Sequence, residues 1–288
     1  SHGAVPRWVG GNMSLSSALA SAMLARLDSL KMPAAITPKS ASTDRIANCA
    51  ETWRAIKPLL TLQQQWSALP SASHLLVEWW SSREGTHLFI YPFAGRTVHL
   101  GLSGLLAWRL AKQMPMTFSL SVNDYGFEML CAQTLDVPAL LVPALLSTDN
   151  LAQDLAESLN AGQLAQRRFR EIARISGLVF QGYPGAKKTA KQVQASSGLF
   201  FDVFQQYDPN NQLLEQARSE VLQHELDFEQ LKTTLNRVSQ LPLILKTIER
   251  PTPFAFPLMV QRLRERLSSE KLSDRVARMV SELERAAQ

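Results

Sequence analysis

Cysteine and long apolar runs are scarce in this sequence. Only Cys49 and Cys131 occur in 288 residues, and they fit neither a paired-cysteine metal site nor a disulfide framework. They predict reduced thiols in a cytoplasmic protein. Charged residues or Pro interrupt every apolar run before the roughly 18 residues that a membrane-spanning helix needs, so we expect no membrane contact.

Signatures of catalysis are missing as well. The sequence has no GxxxxGK[ST] loop, which NTPases use to hold phosphates, so we expect no ATP hydrolysis and no bound cofactor in this chain. Gly101-Leu102-Ser103-Gly104 lacks the spacing of a nucleophile elbow and lies in a helical apolar pattern. Small residues that allow close helix packing are the favoured interpretation.

Two further groups of residues permit a catalytic or metal-binding interpretation. His74, His87 and His99 could surround a metal with Glu78, but they lack the i, i+4 histidine pair of metalloproteases, and we predict no metal site. Asn123 to Gly126 (NDYG) could present a catalytic carboxylate after a strand. This tetrapeptide is also typical of a turn, which we favour, and we therefore predict no catalytic residue.

The first half of the chain predicts helices around a β-hairpin. A first helix over 14–32 would bury Leu19, Met23, Leu27 and Leu30, and a second helix beginning near Ser42 would bend or end at Pro58. Two β-prone runs over 74–92 flank a turn with Gly85. A helix over 95–114 and a strand over 116–122 follow.

The second half predicts mainly helices. A helical pattern over 138–177 breaks at Gly162. Two or three helices over 187–239 divide at 207–211, where Asp208 or Asn210 can begin the next one. A strand over 241–249, an extended link over 251–257 with three prolines, and one or two basic helices complete the chain.

These patterns predict an α+β fold. We expect an antiparallel sheet or partly closed barrel packed with helices in the first half, followed by a mainly helical second half. The division would be an α+β lobe over 4–160 and a helical lobe over 161–288, or one continuous domain. Residues 1–3 resemble the remnant of a cleaved affinity tag, so we expect an excised fragment.

Positive charge is concentrated in one segment. Residues 161–200 carry seven Lys and Arg side chains against the single acid Glu171, whereas the whole chain has a net charge of +5. On a helix, Arg167, Arg170 and Arg174 share one face because they are spaced at i, i+3 and i+7. Such a stripe is typical of a surface that binds the phosphates of a nucleic acid.

The residues around this stripe complete the predicted site. We expect Ile172 and Ile175 of the same helix to face the core. The loop over 180–185 (FQGYPG) offers backbone amides and an aromatic ring to an unpaired base. The candidate nucleic-acid-binding residues are Arg167, Arg168, Arg170, Arg174, Tyr183, Lys187, Lys188 and Lys191. Charge alone leaves a solvated face or an interdomain docking surface equally open.

Four other residues are secondary candidates, namely Arg7, Trp8, Trp80 and Arg96. In a strand, Trp79 and Trp80 point to opposite faces of the sheet, so that one indole would be buried and the other exposed, at a partner surface or against a base. Burial against a partner is the favoured interpretation.

Several motifs resemble one helicase family. They are residues 6–11 (PRWVGG), 87–96 (HLFIYPFAGR), 119–127 (SLSVNDYGF), 177–182 (GLVFQG), 194–197 (QASS), 207–209 (YDP) and 252–257 (TPFAFP). In this order they resemble the DEAD/H-associated region of Lhr-type, ligase-associated DEXH-box helicases, and the resemblance spans almost the whole chain. It identifies the chain as a C-terminal domain of such a bacterial helicase.

The resemblance implies a function that the residues alone do not. Such helicases are superfamily-two, ATP-dependent translocases that move 3′ to 5′ along single-stranded DNA and act in DNA repair, so the parent motor would use ATP and Mg²⁺. The implied partners are single-stranded DNA or a DNA/RNA hybrid, together with the RecA-like and winged-helix domains of the same polypeptide. The implied location is the nucleoid. The alternatives are a purely structural module and, with less support, an independent hydrolase or nuclease.

Overall fold

The computed structural model of the chain describes residues 16–29, 43–160, 163–179, 182–183, 186–187, 189–265 and 272–287. A five-stranded sheet surrounded by helices forms a mixed α+β fold in these residues, which confirms the predicted fold class. None of the described helices is both long and apolar enough to cross a membrane.

Four strands of the main sheet lie in the first half of the chain, and helices predominate in the second half. The strands are β1 (Leu75–Ser82), β2 (Gly85–Ile90), β3 (Phe118–Val122), β4 (Phe127–Cys131), β5 (Gly182–Tyr183), β6 (Ala186–Lys187) and β7 (Leu243–Thr247). The helices are α1 (Ser17–Ser29), α2 (Thr43–Trp66), α3 (Arg96–Gln113), α4 (Val137–Leu140), α5 (Leu151–Asn160), α6 (Gln163–Ile175), α7 (Ala190–Tyr207), α8 (Gln212–Glu220), α9 (Phe228–Ser239), α10 (Ala255–Glu265) and α11 (Leu272–Ala287).

The main sheet is open and mostly antiparallel. Its strand order is β3-β4-β2-β1-β7, with β3 and β7 at the edges, so it does not close into a barrel. The predicted hairpin is confirmed: β1 pairs with β2 so that Ser82 faces Gly85 across a two-residue turn, and Gly85 has φ 123°. Strand β7, from the second half of the chain, pairs in parallel with β1.

Alternation along β1 divides the interior into two cores. Leu75, Val77 and Trp79 contribute to a core with α3 and α9 on one face of the sheet, whereas Leu76 and Trp80 contribute to a core with α1 and α10 on the other. The two tryptophans therefore lie on opposite faces, as the strand period predicts. Both indoles are half-buried.

Helices α6, α7 and α8 enclose a third core of their own. Phe169 of α6 packs edge-on against Phe201 and Phe204 of α7, with ring centroids 5.4 and 6.0 Å apart. Leu214 and Ala217 of α8 are fully buried against this cluster. These three helices thus form a compact unit that carries the basic segment.

Several predicted helix details are wrong. The buried side chains of α1 are Ala20, Leu24 and Leu27, whereas Leu19 and Met23 are 47% and 43% exposed, so the helix is rotated from the predicted face. Position 30 lies outside the described residues. Helix α2 continues through Pro58 to Trp66, so the proline does not end it.

Two boundaries in the second half also differ from prediction. The residue that caps α8 is Asn211, whose Oδ1 accepts a hydrogen bond from Leu213 N at 3.0 Å, rather than Asp208 or Asn210. The extended link after β7 ends earlier than predicted, because α10 begins at Ala255 and contains Pro257 in its first turn. Proline is tolerated there since the first helical N–H groups have no intrahelical acceptor.

Candidate nucleic-acid interface

The basic residues of α6 differ in how far they are exposed from the core of the three-helix unit. Phe169, Ile172 and Ala173 are buried in the three-helix unit. Arg168 and Arg170 are half-buried and Arg174 is exposed. With 3.6 residues per turn, helix positions 167, 170 and 174 lie on the side opposite the buried positions, and their role in binding stays a prediction.

One prediction for α6 is wrong. Ile172 is buried, but Ile175 is 81% exposed. The helix ends at Ile175, and Gly177 then takes a left-handed conformation with φ 74°, after which Val179 N donates back to Ala173 O at 3.1 Å. Val179, beyond this turn, is buried in the core of the three-helix unit.

The positive face contains one carboxylate. The Arg174 guanidinium lies 2.7 Å from the Glu171 carboxylate, and both side chains are about half exposed. Such an exposed ion pair contributes only about 0–1 kcal/mol to stability, so Arg174 can exchange this partner for a phosphate at little cost. The Nε of Arg170 is buried and has no hydrogen-bond partner within the described part of the chain.

A short hairpin connects α6 to α7 and carries further candidates. Gly182 of β5 pairs with Lys187 of β6, and Tyr183 pairs with Ala186. Helix α7 then begins with a complete capping box, in which Thr189 Oγ1 accepts from Gln192 N at 3.3 Å and the Gln192 side chain accepts from Thr189 N at 2.9 Å. Lys191 lies in this first helical turn, and position 188 lies outside the described residues.

The two secondary candidates that the structure describes, Trp80 and Arg96, do not join this group. Trp80 stacks on His87 within the main sheet, with ring centroids 4.8 Å apart, and packs against the core formed with α10. Arg96 is half-buried in the first turn of α3. Positions 7 and 8 lie outside the described residues. Trp80 and Arg96 thus belong to the sheet and its covering helix rather than to the three-helix unit.

The sequence did not reveal a buried polar cluster around Glu78, which is fully buried in β1. Its carboxylate accepts hydrogen bonds from Gln63 Nε2 at 2.6 Å and from Tyr91 Oη and Thr252 Oγ1 at 2.7 Å each. Burial, followed by the nearby Glu78 charge, raises the pKa of Tyr91 well above its ordinary value. Gln63 Oε1 also accepts from Phe254 N at 3.1 Å, so the cluster fixes the TPFAFP segment to the sheet.

A second buried cluster joins α10 to β4 and to the hairpin of β1 and β2. The Nε of Arg262 donates to both oxygens of Glu128 at 3.1 Å, and its Nη2 donates to Glu84 at 2.9 Å. Glu128 also pairs with His87 Nδ1 at 2.8 Å, while Ser82 contacts the opposite ring nitrogen at 2.7 Å. A charged residue inside an apolar strand run, such as Glu128 in FEMLC, was the signal available in the sequence.

The histidines and the NDYG tetrapeptide have structural roles. His99 accepts from Ala94 N at 3.0 Å and donates to Asn123 O at 2.6 Å, and burial lowers its pKa to about 4. Asn123 Oδ1 accepts from Tyr125 N and Gly126 N at 3.1 and 2.9 Å, which makes this segment the turn favoured above. Within the described residues, no three His, Cys, Asp or Glu side chains are grouped to hold a metal.

A cleft between α1, α2 and the start of α10 does not have the chemistry of an active site. It has a volume of about 480 Å³ and is lined mainly by apolar side chains, including Leu27, Phe93 and Phe254, with Arg26 as its charged lining residue. A catalytic site requires converging polar groups. The cleft therefore gives no support to an independent hydrolase or nuclease.

Comparison with known proteins identifies the family. The family model described as DEAD/H associated matches residues 69–255. ATP-dependent helicase Lhr-Core protein 2 of Thermococcus barophilus is 23% identical over 209 residues, and ATP-dependent helicase Lhr-Core of Methanothermobacter thermautotrophicus is 25% identical over 220 residues. These matches cover 72% and 75% of this chain but only 24% and 25% of the relatives. The chain thus spans about a quarter of their length.

A solved structure supports the same assignment at the level of the fold. It is the Mycobacterium smegmatis helicase Lhr bound to ssDNA and AMP-PNP, which is 21% identical to this chain and superposes with a TM-score of 0.67. The match covers 90% of this chain and 33% of the helicase. Since the family model covers well over half of the chain, the chain belongs to the DEAD/H associated family of Lhr-type helicase domains.

Proposed function

We propose that this chain is an accessory domain of an ATP-dependent DNA helicase and that its three-helix unit binds single-stranded DNA. The observation that carries the proposal is the basic face of α6, where arginines lie opposite buried Phe169, Ile172 and Ala173. The relatives are ATP-dependent helicases, and the M. smegmatis helicase has a structure with ssDNA. The motor domains, Mg²⁺ and ATP would belong to the rest of the parent polypeptide.

The basic residues of α6, β6 and the start of α7 would act on the phosphate backbone. Arg167, Arg170 and Arg174 would hold successive phosphates of the tracking strand, and Lys187, Lys188 and Lys191 would continue this path beyond the hairpin. Arg168 would add a contact at the edge of the face, and Tyr183 would stack on an unpaired base. Phosphate contacts carry no sequence information, so binding would be non-specific and weakened by salt.

The wider role follows from the parent protein. RecA-like domains would convert ATP turnover into steps along the strand, and the accessory domain would close the path of that strand beside the winged-helix domain. We extend the proposal to 3′-to-5′ movement and a role in DNA repair, as the family resemblance implies. A DNA/RNA hybrid is the other substrate that a backbone-reading surface would accept.

The first prediction concerns this basic face. Changing Arg167, Arg170, Arg174, Lys187 and Lys191 to Ala should weaken binding to a single-stranded oligonucleotide, because each lost phosphate contact removes one released counterion. The slope of log affinity against log salt concentration should decrease in magnitude by up to about 3–4 for five lost contacts. Fluorescence anisotropy at several salt concentrations measures both quantities.

A matched variant separates this local effect from overall charge. Arg26, Arg54, Lys57, Lys232 and Lys246 are exposed cations on other elements, and changing them to Ala also removes five positive charges from the net +5. This control should retain most of the affinity and the salt slope. Equal losses in the two variants would show that binding depends on net charge alone, and the assignment of α6 would then be wrong.

The second candidate is a structural module that braces the helicase without touching nucleic acid. The pairing of Arg174 with Glu171 favours it, since the ion pair lowers the positive charge available on the face. Its signature would be an unchanged DNA affinity in the five-alanine variant of the full-length parent, together with a loss of stability of the parent when this domain is removed.

A further inference from the structure

Helix α7 exposes a stripe of large apolar side chains that its own fold does not cover. Leu199, Val203 and Tyr207 are 65%, 39% and 74% exposed. They are spaced at i, i+4 and i+8, which places them along one side of the helix. Ser197 and Phe201, on the other side, are almost fully buried in the three-helix unit. We call these three exposed residues the α7 stripe.

The charges beside the stripe argue against a nucleic acid as its occupant. The charged residues in the last two turns of α7 and the turn that follows are Asp202 and Asp208, and both are exposed. They would repel phosphates that approached a base stacked on Tyr207. An apolar stripe with two exposed carboxylates beside it instead suits a protein surface with an apolar centre and a basic rim, although the half-buried Arg218 of α8 donates to Pro209 O at 3.4 Å next to Asp208.

The size of the stripe argues against a second copy of the chain. Three side chains with these exposures offer on the order of 300 Å² of surface, compared with about 800 Å² per partner in a stable complex of separate proteins. A covalently attached neighbour needs far less, because linkage raises its effective concentration to the millimolar range. The relatives are about four times as long as the matched region, so such a neighbour is available in a parent of their length.

We propose that the α7 stripe is the surface through which this domain docks on the remainder of its parent polypeptide, on an apolar patch with a basic rim. This inference rests on the proposed function, in that it requires a parent longer than this chain. Because α6 and α7 pack through Phe169, Phe201 and Phe204, the α7 stripe and the basic face of α6 both lie away from their shared core. The docking surface therefore uses residues of α7 that the proposed DNA-binding surface does not.

Thiol labelling in the full-length parent tests the docking. Val203→Cys should react with a maleimide at least tenfold more slowly than Gln216→Cys, an exposed position on α8, when each rate is divided by the rate of the same variant in urea. Adding Leu199→Ser and Tyr207→Ser to Val203→Cys should weaken the docking and bring its rate towards that of the control. Circular dichroism checks that each variant is folded.

Three results would overturn the docking proposal. Equal rates at the two cysteines would mean that the stripe is uncovered. Protection that disappears on dilution would identify a second copy as the occupant, and protection that requires an added oligonucleotide would identify DNA. The five-alanine variant of the basic face keeps the two proposals apart: unchanged DNA affinity combined with a protected Val203→Cys refutes the DNA-binding surface and leaves the docking surface in place.

Discussion

At the scale of single residues, His99 is the group whose protonation the fold opposes most clearly. Its ring lies fully buried on α3 beside the turn after β3, where one ring nitrogen accepts from Ala94 N and the other donates to Asn123 O. Burial is the main cause that lowers its pKa to about 4, with a smaller effect of the Arg237 charge in the same direction, while Asn123 and Asp124 act against it. The neutral ring is therefore part of the folded structure.

This gives a prediction for stability against pH. The unfolded chain binds the His99 proton near the ordinary pKa of 6.5 and the folded chain only near 4, so the unfolded state takes up more protons between these values. Stability should fall as pH is lowered through this window, with His99 contributing a loss of about 2 kcal/mol between pH 7 and pH 5. Urea unfolding at a series of pH values measures the loss.

The variant His99→Gln isolates this contribution from those of other groups. Glutamine cannot be protonated in this range but can still accept from Ala94 N. Between pH 7 and pH 5 its free energy of unfolding should change by about 2 kcal/mol less than that of the unsubstituted chain. An identical pH dependence in the two proteins would mean that other groups cause the acid sensitivity.

Residue types alone predicted the turn over 123–126 but not the roles of the buried acids. The Asn-Asp-x-Gly sequence was sufficient to favour the turn that Asn123 closes with Tyr125 N and Gly126 N. Glu78 and Glu128 could not be assigned from the sequence, because their partners come from distant segments: Thr252 is 174 residues from Glu78 and Arg262 is 134 residues from Glu128. Local patterns carry no information on such pairs.

At the scale of elements, the small residues of α3 explain how closely two helices approach. A Cβ at Gly101 would lie 2.3 Å from the end of the Leu231 side chain of α9, whereas a Cβ at Gly104 would meet nothing within 4 Å. Ser103 satisfies its hydroxyl on Leu100 O at 3.1 Å. The segment that faintly resembled a nucleophile elbow is thus a helix-packing surface, as the apolar pattern indicated, and Gly101 is the residue that needs to be small.

These two glycines form a matched pair for mutation. Gly104→Ala should stabilise the chain by about 0.5–1 kcal/mol, since alanine has the better helix propensity and space is available. Gly101→Ala has the same gain in propensity but must displace fully buried Leu231, so a net loss of about 1–2 kcal/mol is expected. Thermal or urea unfolding of both variants measures these changes in stability. A stabilised Gly101→Ala would mean that α9 yields without cost.

Predicted elements succeeded where the sequence pattern matched the tertiary environment. The hairpin, α3 and β7 were predicted because alternation, helical spacing and terminal Gly or Pro all agreed. The face of α1 was not, since Leu19 and Met23 follow the helical period as well as Leu24 and Leu27 do, and only contact with Phe93 and Leu258 selects the second set. The prediction that Pro58 would bend or end α2 used only the local steric effect of proline, and the helix does not end there.

At the scale of the whole molecule, a strand and a helix from the second half of the chain complete the sheet formed by the first half. Strand β7 extends the hairpin at β1, and α10 then covers the face that contains Leu76 and Phe89. Sequence patterns could propose these elements but not their destination, because a parallel neighbour 168 residues away leaves no periodic signal. The spacing of the arginines on α6 could be recognised from the sequence, since one helix contains them. The α7 stripe was not, since its exposure depends on the packing of three helices.

Arg262 is the residue that connects these distant segments most directly, and it provides the last prediction. It is 3% exposed and binds Glu128, which is fully buried, and Glu84. Arg262→Met would leave the Glu128 carboxylate buried without its guanidinium, so the free energy of unfolding should fall by about 3–5 kcal/mol.

Two companion variants show whether this loss comes from the uncompensated charge. Adding Glu128→Gln to Arg262→Met removes that charge and should recover part of the stability. Arg250→Met, which breaks an exposed pair with Glu249, should cost less than about 1 kcal/mol. Urea unfolding of the three variants measures these differences. If Arg262→Met cost no more than Arg250→Met, the contacts of α10 through this arginine would not hold the two halves of the chain together, and apolar burial of Leu258 and Met259 would have to supply that stability instead.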